Sequence, residues 1–283
     1  MRKLGAFLSA FLIAVPVLAD APIGDGAADL PLFDAHMHYK IEAWDDYPPS
    51  TVVELMDKTG VAQALVSSTP DRGTIKLWKF APDRFVPEMR PYAGQANSRN
   101  WTTQPGMLDY IVKRLDSYPH TGIGEFHLHR IDVRDKDLIN GIVSLAVERD
   151  LFIHIHSGAE PVRFLFKLEP RLKIIWAHAG MSDPPHIIRD LMDRHENLYA
   201  DTSYREHDIL SPDGIDAKWK ALLIDHADRF MVGSDTWVND QWAMYQELMG
   251  MNRKWLRYLP KAVAEQIAFK NAERLYQRKI QLD

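Results

Sequence analysis

The sequence contains no cysteine. This absence excludes disulfide bonds, thiolate nucleophiles and every zinc site that depends on cysteine ligands. A metal ion bound by this chain would therefore be held by histidine, aspartate or glutamate. Such donors are plentiful, because the sequence has 12 histidines and 39 acidic residues.

An excess of positive charge is also missing. The 34 lysines and arginines are outnumbered by the 39 acidic residues, and the net charge is −5. A mildly acidic chain has no overall attraction for phosphate backbones, so nucleic acid is not an expected partner. A bilayer-spanning helix needs about 20 apolar residues. The one long apolar run, at residues 4–17, is shorter than this, and no stable membrane anchor is expected.

The N-terminus has the three parts of a secretory signal peptide. Arg2 and Lys3 precede the apolar run, and Val17-Leu18-Ala19 ends in a small residue at which cleavage is expected. We therefore predict a signal peptide at residues 1–19 and one domain at residues 20–283, located in the periplasm or secreted. Removal of two positive charges changes the net charge from −5 to −7 (−5 − 2).

This export prediction has a direct test. Mass spectrometry of the mature protein, purified from its native host, should show a chain that begins near Asp20. A soluble cytoplasmic form that keeps Met1 would contradict the prediction.

Eight β-type segments alternate with segments that carry apolar residues at helical spacing. The predicted strands are residues 30–38, 61–69, 85–92, 122–129, 151–157, 172–179, 197–204 and 230–236. Such alternation predicts an α/β fold with parallel strands. A (β/α)₈ TIM barrel typically has about 250 residues, which fits a single domain of this length. An open doubly wound sheet is the alternative, but no G-x-G-x-x-G follows the first strand.

Helix boundaries can be predicted at three places. Ser50 is expected to cap a helix at residues 51–58, and Pro184-Pro185 to open the helix after the sixth strand. A helical stretch at residues 260–278 closes the chain. The polar residues 95–104 predict a long loop after the third strand.

Histidine and aspartate residues occur at the ends of four predicted strands. In a TIM barrel the active site forms at the carboxyl ends of the strands. Period-two alternation places His36 and His38 on one inward face of the first strand. The matching residues of strands five, six and eight are His156, His178 and Asp235. Each alone has an ordinary structural explanation, such as a core histidine or a helix-capping aspartate. Jointly they predict a site for Zn²⁺, Fe²⁺ or Mn²⁺.

The fourth strand adds Glu125, His127 and His129 on one face. Glu125 has three interpretations: it bridges a second cation, it orients an imidazole ligand, or it pairs with an arginine. His127 and His129 are weaker candidates, because either can lie beyond the barrel rim. His154 lies deeper than His156, which favours a supporting or core position.

Three arginines near strand ends are candidate binders of an anionic substrate, because guanidinium grips carboxylate through two hydrogen bonds. Arg90 follows strand three, Arg163 is expected in the loop after strand five, and Arg205 ends strand seven. Each has the alternative of an ordinary salt bridge. Aromatic residues that flank the same mouth either form pocket walls or pack the loops: Tyr39, Trp44, Tyr204 and Trp237.

Together these residues resemble the amidohydrolase superfamily of TIM-barrel metal-dependent hydrolases. Within it, they resemble the amidohydrolase-related branch that includes the carboxymuconate-semialdehyde decarboxylases. The resemblance covers the whole mature chain. Its motifs are Asp34-Ala35-His36-Met37-His38, His156 before Ser157-Gly158, Trp176-Ala177-His178-Ala179-Gly180, Gly233-Ser234-Asp235 and the closing Asn271-Ala272-Glu273-Arg274-Leu275-Tyr276.

The resemblance implies roles for these positions. His36, His38, His156 and Asp235 would bind metal, and His178 would bind metal or assist catalysis. Glu125 is similar to the strand-four glutamate of TatD-like deoxyribonucleases, whose site is binuclear, so one or two ions are expected, with Zn²⁺ as the expected metal. No lysine occupies this position, so a carbamylated-lysine bridge is not expected.

The implied activity is metal-dependent hydrolysis of an ester, lactone or amide bond in a small, carboxylate-bearing substrate. The cation lowers the pKa of water, Asp235 accepts the proton, and the metal or His178 polarises the carbonyl. Three alternatives remain: a non-oxidative decarboxylase on the same site, a periplasmic metal- or ligand-binding barrel without turnover, and a TatD-like nuclease, which the net charge opposes. The sequence leaves the oligomeric state open.

Overall fold

The computed structural model describes residues 21–280, so the predicted signal peptide lies outside the described residues. The described chain contains eight parallel strands and one short antiparallel hairpin, β8 with β9. The strands are β1 (Leu32–Met37), β2 (Val61–Ser67), β3 (Phe85–Glu88), β4 (Gly122–His127), β5 (Phe152–His156), β6 (Lys173–Trp176), β7 (Leu198–Asp201), β8 (Leu210–Ser211), β9 (Gly214–Ile215) and β10 (Phe230–Met231).

The eight parallel strands close into a ring. One sheet has the order β1-β2-β3, and the other has the order β10-β7-β6-β5-β4. A parallel bridge between Met89 and Ile123 joins β3 to β4. At the other junction the amide of Ala35 donates to the carbonyl of Val232, at 2.8 Å. The predicted (β/α)₈ barrel is confirmed, and the sequence analysis missed only the hairpin among its strands.

Helices surround the ring. The α-helices are α1 (Pro49–Thr59), α2 (Arg72–Phe80), α3 (Met107–Ser117), α4 (Lys136–Glu148), α5 (Ala159–Leu168), α6 (Pro185–Arg194), α7 (Glu206–Ile209), α8 (Ala217–Asp225), α9 (Asn239–Ala243), α10 (Tyr245–Leu256), α11 (Lys261–Glu265) and α12 (Asn271–Tyr276). Short 3₁₀ turns lie at Gly24–Ala28, Ile41–Ala43, Trp101–Thr103, Val133–Asp135 and Ala177–Gly180. Among residues 21–280, no helix has both the length and the apolar character that crossing a bilayer requires.

The helix-start predictions have different outcomes. Pro185 opens α6 after Pro184, as predicted. The Ser50 prediction is wrong, because α1 already begins at Pro49 and Ser50 lies within its first turn. Proline suits this first helical position, since its fixed φ is already helical and its missing N–H is not needed there. The predicted closing helix is divided into α11, a π-helical turn (Gln266–Lys270) and α12.

The C-terminal segment closes one end of the barrel. An inner apolar cluster contains Phe33, Leu65, Val86 and Met231 from the strands, together with Ala272 of α12. The rings of Phe33 and Tyr276 stack with their centroids 5.3 Å apart. Burial of each large apolar side chain contributes about 1.5–3 kcal/mol. This end is therefore filled, and the carboxyl ends of the strands remain as the open end.

Two irregularities in the strands turn functional side chains inward. The pairing of β1 with β2 shifts register between Asp34 and Met37. Ala35 belongs to the inner cluster, whereas Met37 belongs to a second, larger apolar cluster that also contains Val52 and Met56 of α1. The extra residue between them lets both His36 and His38 face the interior. A similar shift in β4, between Ile123 and Phe126, brackets Glu125.

Candidate metal centre

Side chains from β1 and from the segment after β10 bring three donor atoms together. The Nε2 atoms of His36 and His38 are 3.1 Å apart. Asp235 Oδ1 lies 3.1 Å from His38 Nε2 and 3.6 Å from His36 Nε2. All three residues are buried, and their donor atoms are close enough to hold one ion.

Glu125 connects this group with the histidines of strands five and six. Its Oε2 lies 3.3 Å from His38 Nε2, and its Oε1 lies 3.8 Å from His178 Nε2. Glu125, His156 and His178 form a second group of donors that fits one ion. Asp235 also spans both groups, with its Oδ2 3.8 Å from His178 Nε2. The structure thus brings all six residues that the sequence predicts as ligands to one end of the barrel.

Asp201 is a member of the site that the sequence analysis missed. It ends β7, and its Oδ2 lies 3.2 Å from His36 Nδ1 and accepts from the backbone amide of His178 at 3.2 Å. A carboxylate on one imidazole nitrogen fixes the ring so that the other nitrogen faces the ion. In the sequence, Asp201 follows an apolar strand segment, as Asp235 follows the eighth strand. This position was the signal by which Asp201 could have been predicted as a site residue.

His154 supports the site from below. Its Nδ1 lies 2.9 Å from Glu88 Oε2, and its Nε2 lies 3.5 Å from Asp201 Oδ2. Burial lowers the pKa of His154, but the Glu88 and Asp201 carboxylates outweigh this and raise the pKa to about 9. The predicted supporting position of His154 is therefore confirmed, with Glu88 as a partner that the sequence analysis did not identify.

The site carries an excess of negative charge. Burial lowers the pKa of His36, but Asp201, Asp235 and Glu125 outweigh it and hold that pKa well above its ordinary value. A field that stabilises a proton on a buried imidazole also favours a divalent cation at the same place, because both are positive charges. Arg90 brings a positive charge into contact with one of these carboxylates, because its guanidinium donates to Glu125 Oε2 at 2.6 Å.

The donor set fits a divalent cation. Burial lowers the pKa of His156 to about 4, so its imidazole is neutral at neutral pH, the form that binds metal. His156 Nδ1 is buried without a hydrogen-bond partner among residues 21–280. Neutral imidazoles and ionised carboxylates are the donors that zinc and similar ions prefer.

The strand-six histidine is presented by an unusual turn. His178 and Ala179 have φ values of 55° and 45°, in the left-handed region that non-glycine residues seldom adopt. The Arg205 guanidinium donates to both of their carbonyl oxygens at 3.2 Å, and to the carbonyl of Asp183 at 2.8 Å. Arg205 lies beyond the end of β7, and not at the end of the strand as predicted. Its hydrogen bonds stabilise the turn that positions His178.

The other two predicted substrate-binding arginines are also engaged. Arg90 donates to the backbone carbonyl of Glu125 at 3.0 Å as well as to its carboxylate. Arg163 lies in α5, not in a loop as predicted, and pairs with Glu160 at 2.7 Å and with Asp190 at 3.4 Å. The contacts of these arginines give no support to a role in substrate binding.

Asp34 of the strand-one motif has a structural role. Its carboxylate accepts from the amides of His36 and Ser234, at 3.1 and 2.9 Å, and from the Tyr245 hydroxyl at 3.0 Å. Burial raises its pKa to about 6 despite these hydrogen bonds. Asp34 therefore ties β1 to the segment that carries Asp235.

His127 and His129 lie towards the rim. The His127 ring is 4.2 Å from the His156 ring, and its Nδ1 lies 2.9 Å from the Tyr92 hydroxyl. Burial lowers the pKa of His127 to about 3. His129 lies past the last residue of β4, as its position in the sequence suggested.

A model of a known protein family matches residues 33–278, and its description is amidohydrolase. The chain belongs to the amidohydrolase family. This confirms the resemblance seen in the sequence motifs and identifies the chain as an enzyme of the hydrolase class. The match extends over almost all of the described barrel, so it covers every candidate metal ligand.

The solved structures that are similar to the chain include the following three. A probable 2-pyrone-4,6-dicarboxylic acid hydrolase from Acinetobacter baumannii has a TM-score of 0.59 and 12% identity over 88% of this chain and 100% of its own. A lactonase from Listeria monocytogenes has a TM-score of 0.63 and 11% identity over 90% and 97%. The Escherichia coli phosphotriesterase homology protein has a TM-score of 0.62 and 13% identity over 88% and 98%. No curated protein matches by sequence. At these identities the likeness establishes the fold.

Proposed function

We propose that this amidohydrolase is a metal-dependent hydrolase that opens an ester or lactone bond in a small, carboxylate-bearing substrate. The observation that carries the proposal is the convergence of four histidines on Asp235 and Glu125 at the open end of the barrel. Two of the similar proteins support the bond type. One is a probable hydrolase of a 2-pyrone dicarboxylic acid, which is itself a lactone with carboxylates, and the other is a lactonase.

The residues present would hold one or two zinc ions. His36, His38 and Asp235 form one set of donors, and Glu125, His156 and His178 form the other. When bound, a divalent cation supplies Lewis-acid polarisation of a carbonyl and lowers the pKa of water. Imidazole with carboxylate is a common zinc donor set, which favours zinc.

Asp235 is the carboxylate best placed to act as general base. Its side chain is 11% exposed, whereas that of Glu125 is 3% exposed. Burial raises the pKa of Asp235, but His36 and the other imidazoles outweigh it and lower the pKa below its usual value. Asp235 is therefore ionised at neutral pH and can accept a proton from the attacking water and pass it to the leaving oxygen.

Glu125 is less suited to this proton transfer. Burial raises its pKa, but Arg90 and the imidazoles outweigh this and hold the pKa well below its usual range. Arg90 Nη2 lies 2.6 Å from Glu125 Oε2, and this contact keeps the carboxylate ionised and fixed in place. A fixed, weakly basic carboxylate between two donor sets is suited to binding ions and not to carrying protons.

The test of the proposed function combines metal analysis with a substrate screen. The purified protein should contain one or two divalent cations per chain and hydrolyse members of a panel of lactones and esters that carry carboxylates. Release of carbon dioxide from aromatic acids, without hydrolysis, would favour the decarboxylase alternative instead. Bound metal without any turnover would favour the binding barrel.

Glu125→Gln tests whether this carboxylate bridges two ions. We expect the metal content to fall from two ions per chain to one, because an amide offers no negative charge to share between them. Inductively coupled plasma mass spectrometry measures the count. A count that stays at one in both proteins would mean that Glu125 only orients an imidazole.

Two further variants control this experiment. Glu160→Gln removes a carboxylate whose side chain is 84% exposed on α5, and it should leave the metal count unchanged. Glu125→Gln also leaves the buried Arg90 unpaired, which destabilises the fold. The double variant Glu125→Gln with Arg90→Met removes both partners, and it should show the same metal count as Glu125→Gln if the count reports bridging.

A further inference from the structure

A small pocket lies next to the chain segments that carry two of the candidate metal ligands, His38 and Asp235. It has a volume of about 240 Å³ and lies between the segments that follow β1 and β10. Its lining consists of Lys40, Glu42, Ala43, Thr236, Trp237, Val238, Asn239 and Trp242. Pockets for whole drug-sized ligands have volumes of about 300–1,000 Å³. This pocket is therefore suited to one end of a small molecule.

The walls of the pocket are connected directly to two metal-ligand candidates. Thr236 Oγ1 accepts from the amide of His38 at 3.2 Å and donates to its carbonyl at 3.0 Å. The amide of Trp237 donates to the carbonyl of Asp235 at 2.9 Å. The backbone that holds His38 and Asp235 thus also forms the pocket. A substrate whose reacting bond lies at the metal centre would place a neighbouring group here.

Lys40 supplies an uncommitted positive charge. It forms no ion pair within residues 21–280, and its Nζ lies 5.8 Å from the centroid of the Trp237 ring. Trp237 is 49% exposed, which is unusual for so large an apolar side chain. The three arginines predicted to bind a carboxylate are bound to protein groups, so they are not free for this role.

Trp242 forms a buried wall of the pocket. The side chain is 1% exposed, and its ring stacks on the rings of Tyr47 and Tyr245, with centroids 5.8 Å apart in both pairs. Its indole Nε1 is buried, so a ligand in the pocket does not reach it, and this wall is apolar. Among the lining residues, Lys40 is therefore the charged donor available to a carboxylate.

We propose that this pocket binds the carboxylate of the substrate, with the Lys40 ammonium as its charged donor. The ligand class is a small organic acid with a planar or apolar group that contacts Trp237. Glu42 also lines the pocket, but it is exposed, and charges at an exposed position interact weakly in the high dielectric of water. The Asn239 side chain donates to the carbonyl of Glu42 at 3.1 Å and to Asp46 Oδ2 at 3.0 Å, which fixes the pocket wall. This proposal rests on the proposed function.

Calorimetric titration of the metal-loaded protein with benzoate and with benzyl alcohol tests the pocket. Lys40→Met should weaken benzoate binding about tenfold, because a charge-assisted hydrogen bond is lost, and should leave benzyl alcohol unaffected. Trp237→Leu, which removes the half-exposed ring that a planar group would contact, should weaken the binding of both ligands about threefold. Circular dichroism checks that each variant is folded.

A matched control is available on α2. Lys76 Nζ lies 4.8 Å from the centroid of the Trp44 ring, an arrangement like that of Lys40 with Trp237 but outside the pocket lining. Lys76→Met should leave benzoate binding unchanged. If wild-type protein does not bind benzoate, or if Lys40→Met and Trp237→Leu bind it as well as wild type, the proposal is wrong.

Binding and turnover separate this proposal from the proposed function. If the screen finds no hydrolysis but Lys40→Met still weakens benzoate binding, the carboxylate pocket stands and the hydrolase proposal fails. If hydrolysis occurs and neither variant changes benzoate binding, the hydrolase proposal stands and the pocket fails.

Discussion

Asp235→Asn should lower the turnover number by roughly 10² or more, since general-base catalysis typically contributes about 10²–10⁴-fold. Asparagine keeps the shape of the side chain and one oxygen that can bind metal, but it cannot accept the proton. The donors of the second set, Glu125, His156 and His178, are untouched. At least one metal ion per chain should therefore remain, and metal analysis on the same preparation measures it.

The control for this variant must be another aspartate without a role in the fold. Asp213 is exposed and lies between β8 and β9, so Asp213→Asn should leave turnover unchanged. Asp216, the residue before α8, is unsuitable as a control. Its carboxylate caps α8 by accepting from the amides of Lys218 and Trp219, at 2.9 and 3.0 Å. Loss of such a cap costs about 0.5–2 kcal/mol of stability.

Near-full turnover in Asp235→Asn, with the metal content intact, would show that Asp235 is not the base. The hydrolytic mechanism proposed for this site would then be wrong. If wild-type protein also hydrolyses nothing in the screen, the binding barrel without turnover becomes the better explanation.

The double variant His36→Ala with His38→Ala should lose metal and, with it, hydrolytic activity. These two side chains supply donor atoms that lie 3.1 Å apart, and both also lie within 3.6 Å of Glu125. Without these two histidines, Asp235 alone remains of the donor set formed by His36, His38 and Asp235. Plasma mass spectrometry of the purified variant should find substantially less metal than in wild type.

Exposed histidines provide the matched control for this double variant. His186 and His207 lie on α6 and α7 and are exposed, so His186→Ala with His207→Ala should keep the wild-type metal content. Full metal occupancy in the variant that lacks His36 and His38 would exclude them as ligands. Circular dichroism separates metal loss in a folded barrel from loss of the fold.

The strand ends show how far sequence reasoning extends. All eight barrel strands were predicted, because a buried parallel strand is a local apolar run that can be recognised without its neighbours. Their ends were predicted too late: the eighth, expected at residues 230–236, is Phe230–Met231. The residue at which a strand ends depends on the adjacent strand, because each backbone hydrogen bond needs a partner opposite it. The local sequence of one strand carries no information about that partner.

The arginines show the opposite limit. Their position near strand ends predicted substrate binding, but Arg90 contacts Glu125 and Arg205 contacts the carbonyls of His178 and Ala179. A guanidinium is mobile and has five donors, so its partner is decided by whichever acceptors the folded chain brings within reach. Lys40, which forms no ion pair among residues 21–280, lies beside Trp237 in the pocket, and no sequence motif marked it.

The sequence by itself determined the barrel, the family and the six candidate ligands, because each depends on residue types at fixed short spacings along a strand or at its end. Only the tertiary structure decided that Asp201 orients His36, that His154 lies between Glu88 and Asp201, and that a shift in register turns His36 inward beside His38. These contacts join residues far apart in the chain. Their geometry depends on how the strands tilt and pair around the closed ring, which is a property of the whole barrel and not of any one segment.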